Sequence, residues 1–228
     1  MTDGRLNVLS AIDRQLRLGT LPPSGSLQHP GASTSRQEAP ADLVAQFTRE
    51  LEALAVTVHH EADDRAATAR VLALLDERAA SRVLAWDPEW LNCPGLSEAI
   101  DAHGIVREPC WLPAGAAERR ARLAAIDDVR VGLTGALAGL ADTGSLALVS
   151  GPGRGRIASL LPPMHVAVLR ADQIVPSFGA CLAAHPHIAD EGSNLVLITG
   201  PSRTADIEMT LTRGVHGPGH VHVVIVRS

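Results

Sequence analysis

The residues best suited to chemistry lie in the last third of the chain, in Gly200-Pro-Ser-Arg-Thr-Ala-Asp206 and, shortly after, in Gly214-Val-His-Gly-Pro218. Gly200-Pro201-Ser202 is a turn that cannot continue the apolar run Asn194–Thr199 before it. That run reads as a buried strand, and Ala205–Arg213 reads as a short helix. Ser202 or Thr204 caps this helix, with Asp206 and Glu208 in its first turn. A strand, a tight turn and a capped helix form a usual seat for a small anion in an α/β protein. Arg203 adds a planar, permanently charged fork at the same point. The ligand-binding candidates here are therefore Gly200, Ser202, Arg203, Thr204 and Asp206. His216 joins them as a proton carrier near neutral pH, or as a hydrogen-bonding partner of its own turn.

A second group precedes it. Thr134-Gly135 and Asp142-Thr143-Gly144 flank Ala136–Ala141, which reads as a short helix of small residues. Asp142 is a candidate base or holder of a substrate hydroxyl. Thr143 offers a hydroxyl, and Gly144 permits close backbone approach. A tightly packed helix with Asp142 as its local cap is an equal reading. His165, at the edge of a strand, carries the same two alternatives as His216. Loops leaving the strands of a parallel sheet gather at one edge. Ser202, Arg203 and Thr204 are therefore expected to share a pocket with Thr143, Gly144 and His216.

Gly151-Pro-Gly-Arg-Gly-Arg156 could cradle a phosphate with backbone N–H groups and two guanidiniums. It does not open a helix in the dinucleotide pattern, and a hairpin loop with solvated arginines is the favoured reading. The histidine pairs His59/His60, His185/His187 and His220/His222 have no third ligand at diagnostic spacing, so no metal site is assigned. All 20 basic residues are arginine. Without lysine the chain has neither the amine of a Walker A loop nor that of a Schiff base.

These segments must be positioned by elements that alternate along the chain. Helix-like spacing covers Asp42–Leu54, Ala62–Ala80, Leu96–His103, Ala114–Ala125 and a stretch from Asp172 to Ala184. Strand-like runs cover Ala55–His59, Ser81–Trp86, Gly104–Trp111, Val129–Leu133, Leu146–Ser150, His165–Arg170 and His220–Arg227. Such alternation predicts an α/β fold of three layers with a mostly parallel sheet. Gly4–Leu18 has helical spacing, and Thr20–Pro40, with four prolines and two glycines, reads as a linker. The expected organisation is residues 1–40 as an N-terminal helix and flexible linker, then one domain over 41–228.

The segments GPSRTADIE and GVHGP resemble the lactate-utilization (LUD) domain. GALAGLADTGSLALV from Gly135 and LLPPMH ending at His165 match the same family in the same order, so the resemblance covers about Val129 to Val226. The chain has Asp142 where the family usually has glutamate, Ser145 where it has threonine, and Gly219 where it has a basic residue. The resemblance implies a fold of the sugar-isomerase and CoA-transferase-like class. It implies a component of bacterial L-lactate oxidation to pyruvate, working with iron–sulfur partner proteins and binding a small anionic metabolite. The alternative is a self-contained enzyme acting on a carboxylate or phosphorylated metabolite.

Composition narrows the remaining classes. The 228 residues are 46% apolar with a net charge of −5, enough for a substantial core and without the basic footprint of nucleic-acid binding. Three Trp, two Phe and no Tyr argue against base-stacking platforms. No apolar stretch approaches a membrane span, and the N-terminus lacks a signal-peptide pattern, so a cytoplasmic protein is expected. Cys93, Cys110 and Cys181 are isolated, whereas an iron–sulfur cluster takes about four thiolates. No cofactor is evident from this chain, which points to a non-redox subunit.

Overall fold

A computed structural model describes residues 40–205, 211–213 and 217–227. Asp206 and His216 lie outside the described residues, as does the proposed 4–18 helix. At the centre is a six-stranded sheet, parallel at every pairing. Its strands are β1 (Thr57–Glu61), β2 (Arg82–Ala85), β3 (Val106–Pro109), β4 (Val131–Gly135), β7 (Met164–Arg170) and β12 (His220–Val226). The order across the sheet is β1-β12-β7-β4-β2-β3. Every residue of β4 is buried, as are six of the seven in β7. Their near-continuous apolar sequence is what a sheet covered on both faces demands.

Helices supply the cover. In α1 (Pro40–Ala53), Leu43, Phe47 and Leu51 recur every four residues and are buried as one stripe. In α2 (Asp64–Glu77) the stripe is Ala67, Val71, Leu74 and Leu75, and the Asp63 carboxylate caps the helix by accepting from Ala66 N at 2.8 Å. The others are α3 (Leu96–Ala102), α4 (Ala116–Ala125), the single turn α5 (Ile157–Leu160), α6 (Phe178–Ala184) and α7 (Ile188–Glu191). The backbone of α5 lies directly on β4, where a Cβ at Gly132 would overlap the Ala158 carbonyl.

A second, four-stranded sheet has the order β8-β5-β6-β9, from β5 (Ala138–Leu140), β6 (Ser145–Ser150), β8 (Ile174–Val175) and β9 (Asn194–Ile198). This sheet corrects several expectations. Ala136–Ala141 is no helix: β5 pairs with β6 antiparallel, and Gly139 is small because Phe47 and Leu169 press against it. Asp142 therefore caps nothing. The helix expected over Asp172–Ala184 is broken by Pro176 into a 3-10 turn, β8, and α6 capped by Ser177. Asn194–Ile198 is a half-exposed edge strand, paired antiparallel with β6, rather than a buried one. The loop after β6 does not close a hairpin, since β6 and β7 belong to different sheets.

The helix expected over Ala205–Arg213 is also corrected. Its ends form an antiparallel ribbon of β10 (Arg203–Ala205) and β11 (Leu211–Arg213), with Thr204 opposite Thr212. β-Branched residues favour that pleated pairing over a helix. The helix N-terminus invoked for anion binding at Ser202 is thus absent.

Candidate functional site

In an open parallel sheet, ligands bind beyond the carboxyl ends of the strands where the winding reverses. Here β2 is followed outward by β3, whereas β4 is followed by β7 on its other side. The reversal lies between β2 and β4, and two clefts flank it. One, of about 500 Å³, is lined by Glu89, Asn92, Cys93, Ser97 and Arg170 among others. The second, of about 420 Å³, is lined by Asp87, Cys110, Trp111, Gly153, Gly155 and Arg156 among others.

The segment after β2 builds the wall between them. Trp86 N donates to Leu133 O at 3.0 Å and Asp87 N to Gly153 O at 2.8 Å, tying β4 and the glycine loop to this segment. The buried Trp86 indole donates to Gly155 O at 3.1 Å. Gly135, the last residue of β4, has no room for a side chain because the Trp90 carbonyl occupies that space. Asn92, in the left-handed conformation with φ 56°, reaches the Ala136 carbonyl at 2.7 Å and Gln173 Oε1 at 3.1 Å. Arg170, the last residue of β7, donates to Asp64 Oδ1 at 2.8 Å.

The glycine loop differs from the solvated hairpin read in the sequence. Arg154 is buried, its guanidinium 3.9 Å from the centre of the Trp90 ring, a cation–π stack. Arg156 is exposed and lines the second cleft. Trp111 also lines it, with 62% of its surface exposed. Cys110 faces the same cleft but is chemically quiet. Its thiol donates to Ala85 O at 2.9 Å, and burial pushes its pKa up to about 12. Burial likewise raises Cys93 and Cys181.

The residues singled out from sequence lie elsewhere. Thr143 Oγ1 donates to Ser145 Oγ at 2.9 Å, and Ser145 Oγ is 2.8 Å from Thr199 Oγ1. Gly144 closes on Glu50 and Leu51, and Gly200 on Leu54, so both gather at the C-terminal end of α1. Ser202 N donates to Pro218 O at 2.8 Å, beside Gly219, which donates to Pro163 O. These contacts belong to the amino ends of β1, β7 and β12, the sheet edge opposite the clefts. Asp142 is exposed, its N–H bonded to Pro176 O at 3.1 Å. Arg203 and Thr204 are in β10. His165 is fully buried, its Nε2 2.9 Å from Thr134 Oγ1 and its Nδ1 without a partner. Burial pushes its pKa down to about 4, so the ring is neutral near pH 7. His59 Nε2 lies 3.1 Å from His222 Nδ1 with the rings stacked, but no group of three or more potential metal ligands occurs among the described residues.

A family model described as the LUD domain matches residues 44–226. The chain belongs to the LUD domain family. The match begins well before Val129, where the recognisable segments start. Among LUD relatives, lactate utilization protein C of Geobacillus sp. (strain WCH70) is 35% identical over 66% of this chain and 58% of its own length. Its namesake in Macrococcus caseolyticus is 31% identical over 67% of this chain and 64% of its own. The alignments thus span about three-fifths of those relatives. The uncharacterized protein YkgG of Escherichia coli K12 is 29% identical over 97% of this chain and 96% of its own. A crystal structure of a DUF162 family protein from Deinococcus radiodurans superposes with a TM-score of 0.56 at 22% identity, covering 83% of this chain and 99% of that one. It shares the α/β fold.

Two of the site's main features had weak sequence signals. Trp111 and Asp87 stand alone in their segments, and only the packing of the loop after β6 on the ends of β2 and β3 brings them to Arg156. Among the described residues no helix is long and apolar enough to cross a membrane.

Proposed function

We propose that the chain is a component of bacterial L-lactate utilization that binds a small anion and leaves electron transfer to iron–sulfur partner proteins. The family match over 44–226, with relatives named for lactate utilization, carries this reading. A cleft of about 420 Å³ beside the β2/β4 reversal, lined by Arg156 and the glycine loop, supports the anion-binding part of this reading. Oxidising lactate to pyruvate removes two electrons, which need an acceptor such as a flavin, a nicotinamide or an iron–sulfur relay. Three buried cysteines are fewer than the roughly four thiolates an iron–sulfur cluster takes. Ser202, Arg203 and Thr204 lie outside this cleft and are proposed as a separate, second anion contact.

The test is lactate-dependent dye reduction. The isolated chain should give none, and activity should appear only when the iron–sulfur partners are added. Reduction by the cofactor-free chain alone would instead favour a self-contained enzyme. An Arg203→Ala variant with undiminished affinity for the acid removes the second contact.

A further inference from the structure

The cleft beside the glycine loop holds groups that a simple acid would leave unused. Asp87, exposed just past the end of β2, lines the same cleft as Arg156. A ligand that is only an anion gains from Arg156 and is repelled by Asp87. A ligand with an anionic group at one end and hydroxyls at the other satisfies both. An ionised carboxylate is an acceptor only, and the two hydroxyls of a ribose can donate to it. The Trp111 ring then stands out. It is the most exposed large apolar side chain among the described residues, in a chain with only five Phe and Trp together. An exposed ring lining a concave site offers a flat stacking surface for another aromatic system.

The loop backbone lies close against the neighbouring strand ends. A Cβ at Gly153 would come 2.6 Å from Asp87 Oδ2, and one at Gly155 would overlap the Cys110 carbonyl, so glycine lets the loop lie flat against the ends of β2 and β3. The Gly155 carbonyl accepts from the buried Trp86 indole. Because a trans peptide points its N–H opposite to its C=O, the Arg156 N–H is turned away from that indole. The cleft volume of about 420 Å³ is within the range of small-molecule sites, roughly 300–1,000 Å³.

From this combination we infer that the cleft binds a nucleoside phosphate, with the base on Trp111, the ribose hydroxyls on Asp87 and the phosphate on Arg156 and the glycine loop. The inference rests on the anion-cleft reading above and names its ligand class. It is tested with the full chain by calorimetric titration of ADP, adenosine, inorganic phosphate and L-lactate. ADP should bind at least about tenfold tighter than either adenosine or phosphate, the gain expected from joining a stacking contact to an ionic one. Trp111→Ala should weaken ADP about tenfold and leave phosphate unchanged. Asp87→Asn should weaken ADP but not phosphate, and Arg156→Ala should weaken both. Far-UV spectra and melting curves confirm that each exposed-site variant is folded. ADP no tighter than phosphate, or unaffected by Trp111→Ala, overturns the nucleotide assignment. If phosphate or lactate still binds and Arg156→Ala abolishes it, the anion cleft survives that outcome. If no anion binds at all, both readings fall.

Discussion

Substituting Gly135 by alanine puts the architecture of the clefts to a quantitative test. A Cβ there would overlap the Trp90 carbonyl oxygen and lie 3.1 Å from Asn92 Nδ2. Neither neighbour yields easily. Trp90 ends a 3-10 turn over Pro88–Trp90, and Asn92 is held by its bond to Ala136 O at 2.7 Å. Overpacking of this kind costs about 1–3 kcal/mol. Taking about 2 kcal/mol, a chain of this size should melt roughly 4–8 °C lower. The strain also has a location, since the displaced segment forms the wall between the clefts. Gly104→Ala is the control: its φ of +81° is strained for alanine, but nothing lies within 4 Å of the new methyl. Left-handed backbone alone costs about 1–2 kcal/mol, so Gly104→Ala should also melt lower. Only Gly135→Ala should alter tryptophan emission and weaken anion binding. Circular dichroism melts with parallel fluorescence spectra decide it. A Gly135→Ala protein with the parent's melting temperature and emission would refute the packing argument.

Two further outcomes follow from the core. His165 has an ordinary pKa of 6.5 in the unfolded chain and about 4 when buried, so between those values the unfolded state binds a proton the folded state refuses. Its contribution is complete above pH 6.5 and is lost as pH falls toward 4, about 3 kcal/mol in all. Urea midpoints across that window should fall steeply in the parent and less steeply in His165→Gln, the residual slope coming from His222, which burial first and then His59 lower to about 4, and from His59, which burial also lowers. Equal slopes would mean that His165 takes up its proton without cost. A chain beginning at Ala41 should still unfold cooperatively, because Leu43, Phe47 and Leu51 of α1 belong to the core; a broad, non-cooperative melt would show that residues 1–40 are part of the domain.

The parallel sheet was legible because its inner strands β4, β7 and β12 are largely apolar and alternate along the chain with amphipathic stretches such as Leu43-Phe47-Leu51. The second sheet was not. Ala138, Gly139 and Ala147 are too small to display a period of two, so Ala136–Ala141 looked helical until Phe47 and Leu169 explained the missing side chains. Pro176 was visible, yet the short segments on either side of it carry no propensity strong enough to announce a turn and a two-residue strand. At the signature segment, Ser202 with Asp206 and Glu208 gave good capping chemistry, but cross-strand pairing of Thr204 with Thr212 outweighed it. The clefts were hidden for a different reason. Asp87, Trp111 and Arg156 lie on three separate loops, and they become neighbours only where the loop after β6 packs on the ends of β2 and β3.

The position of β12 has a consequence for how the chain comes to be folded. Formed from residues 220–226, it inserts between β7 and β1, pairing Val223 with both Ala167 and Val58. While a ribosome is still making the preceding residues, β1 has no neighbour in the sheet and the apolar edge of β7 is uncovered. Contacts so distant along the chain are slow to form and leave sticky edges exposed in the meantime. The sheet can therefore close only after synthesis has passed Val226, and until then two of its strand edges stay unpaired.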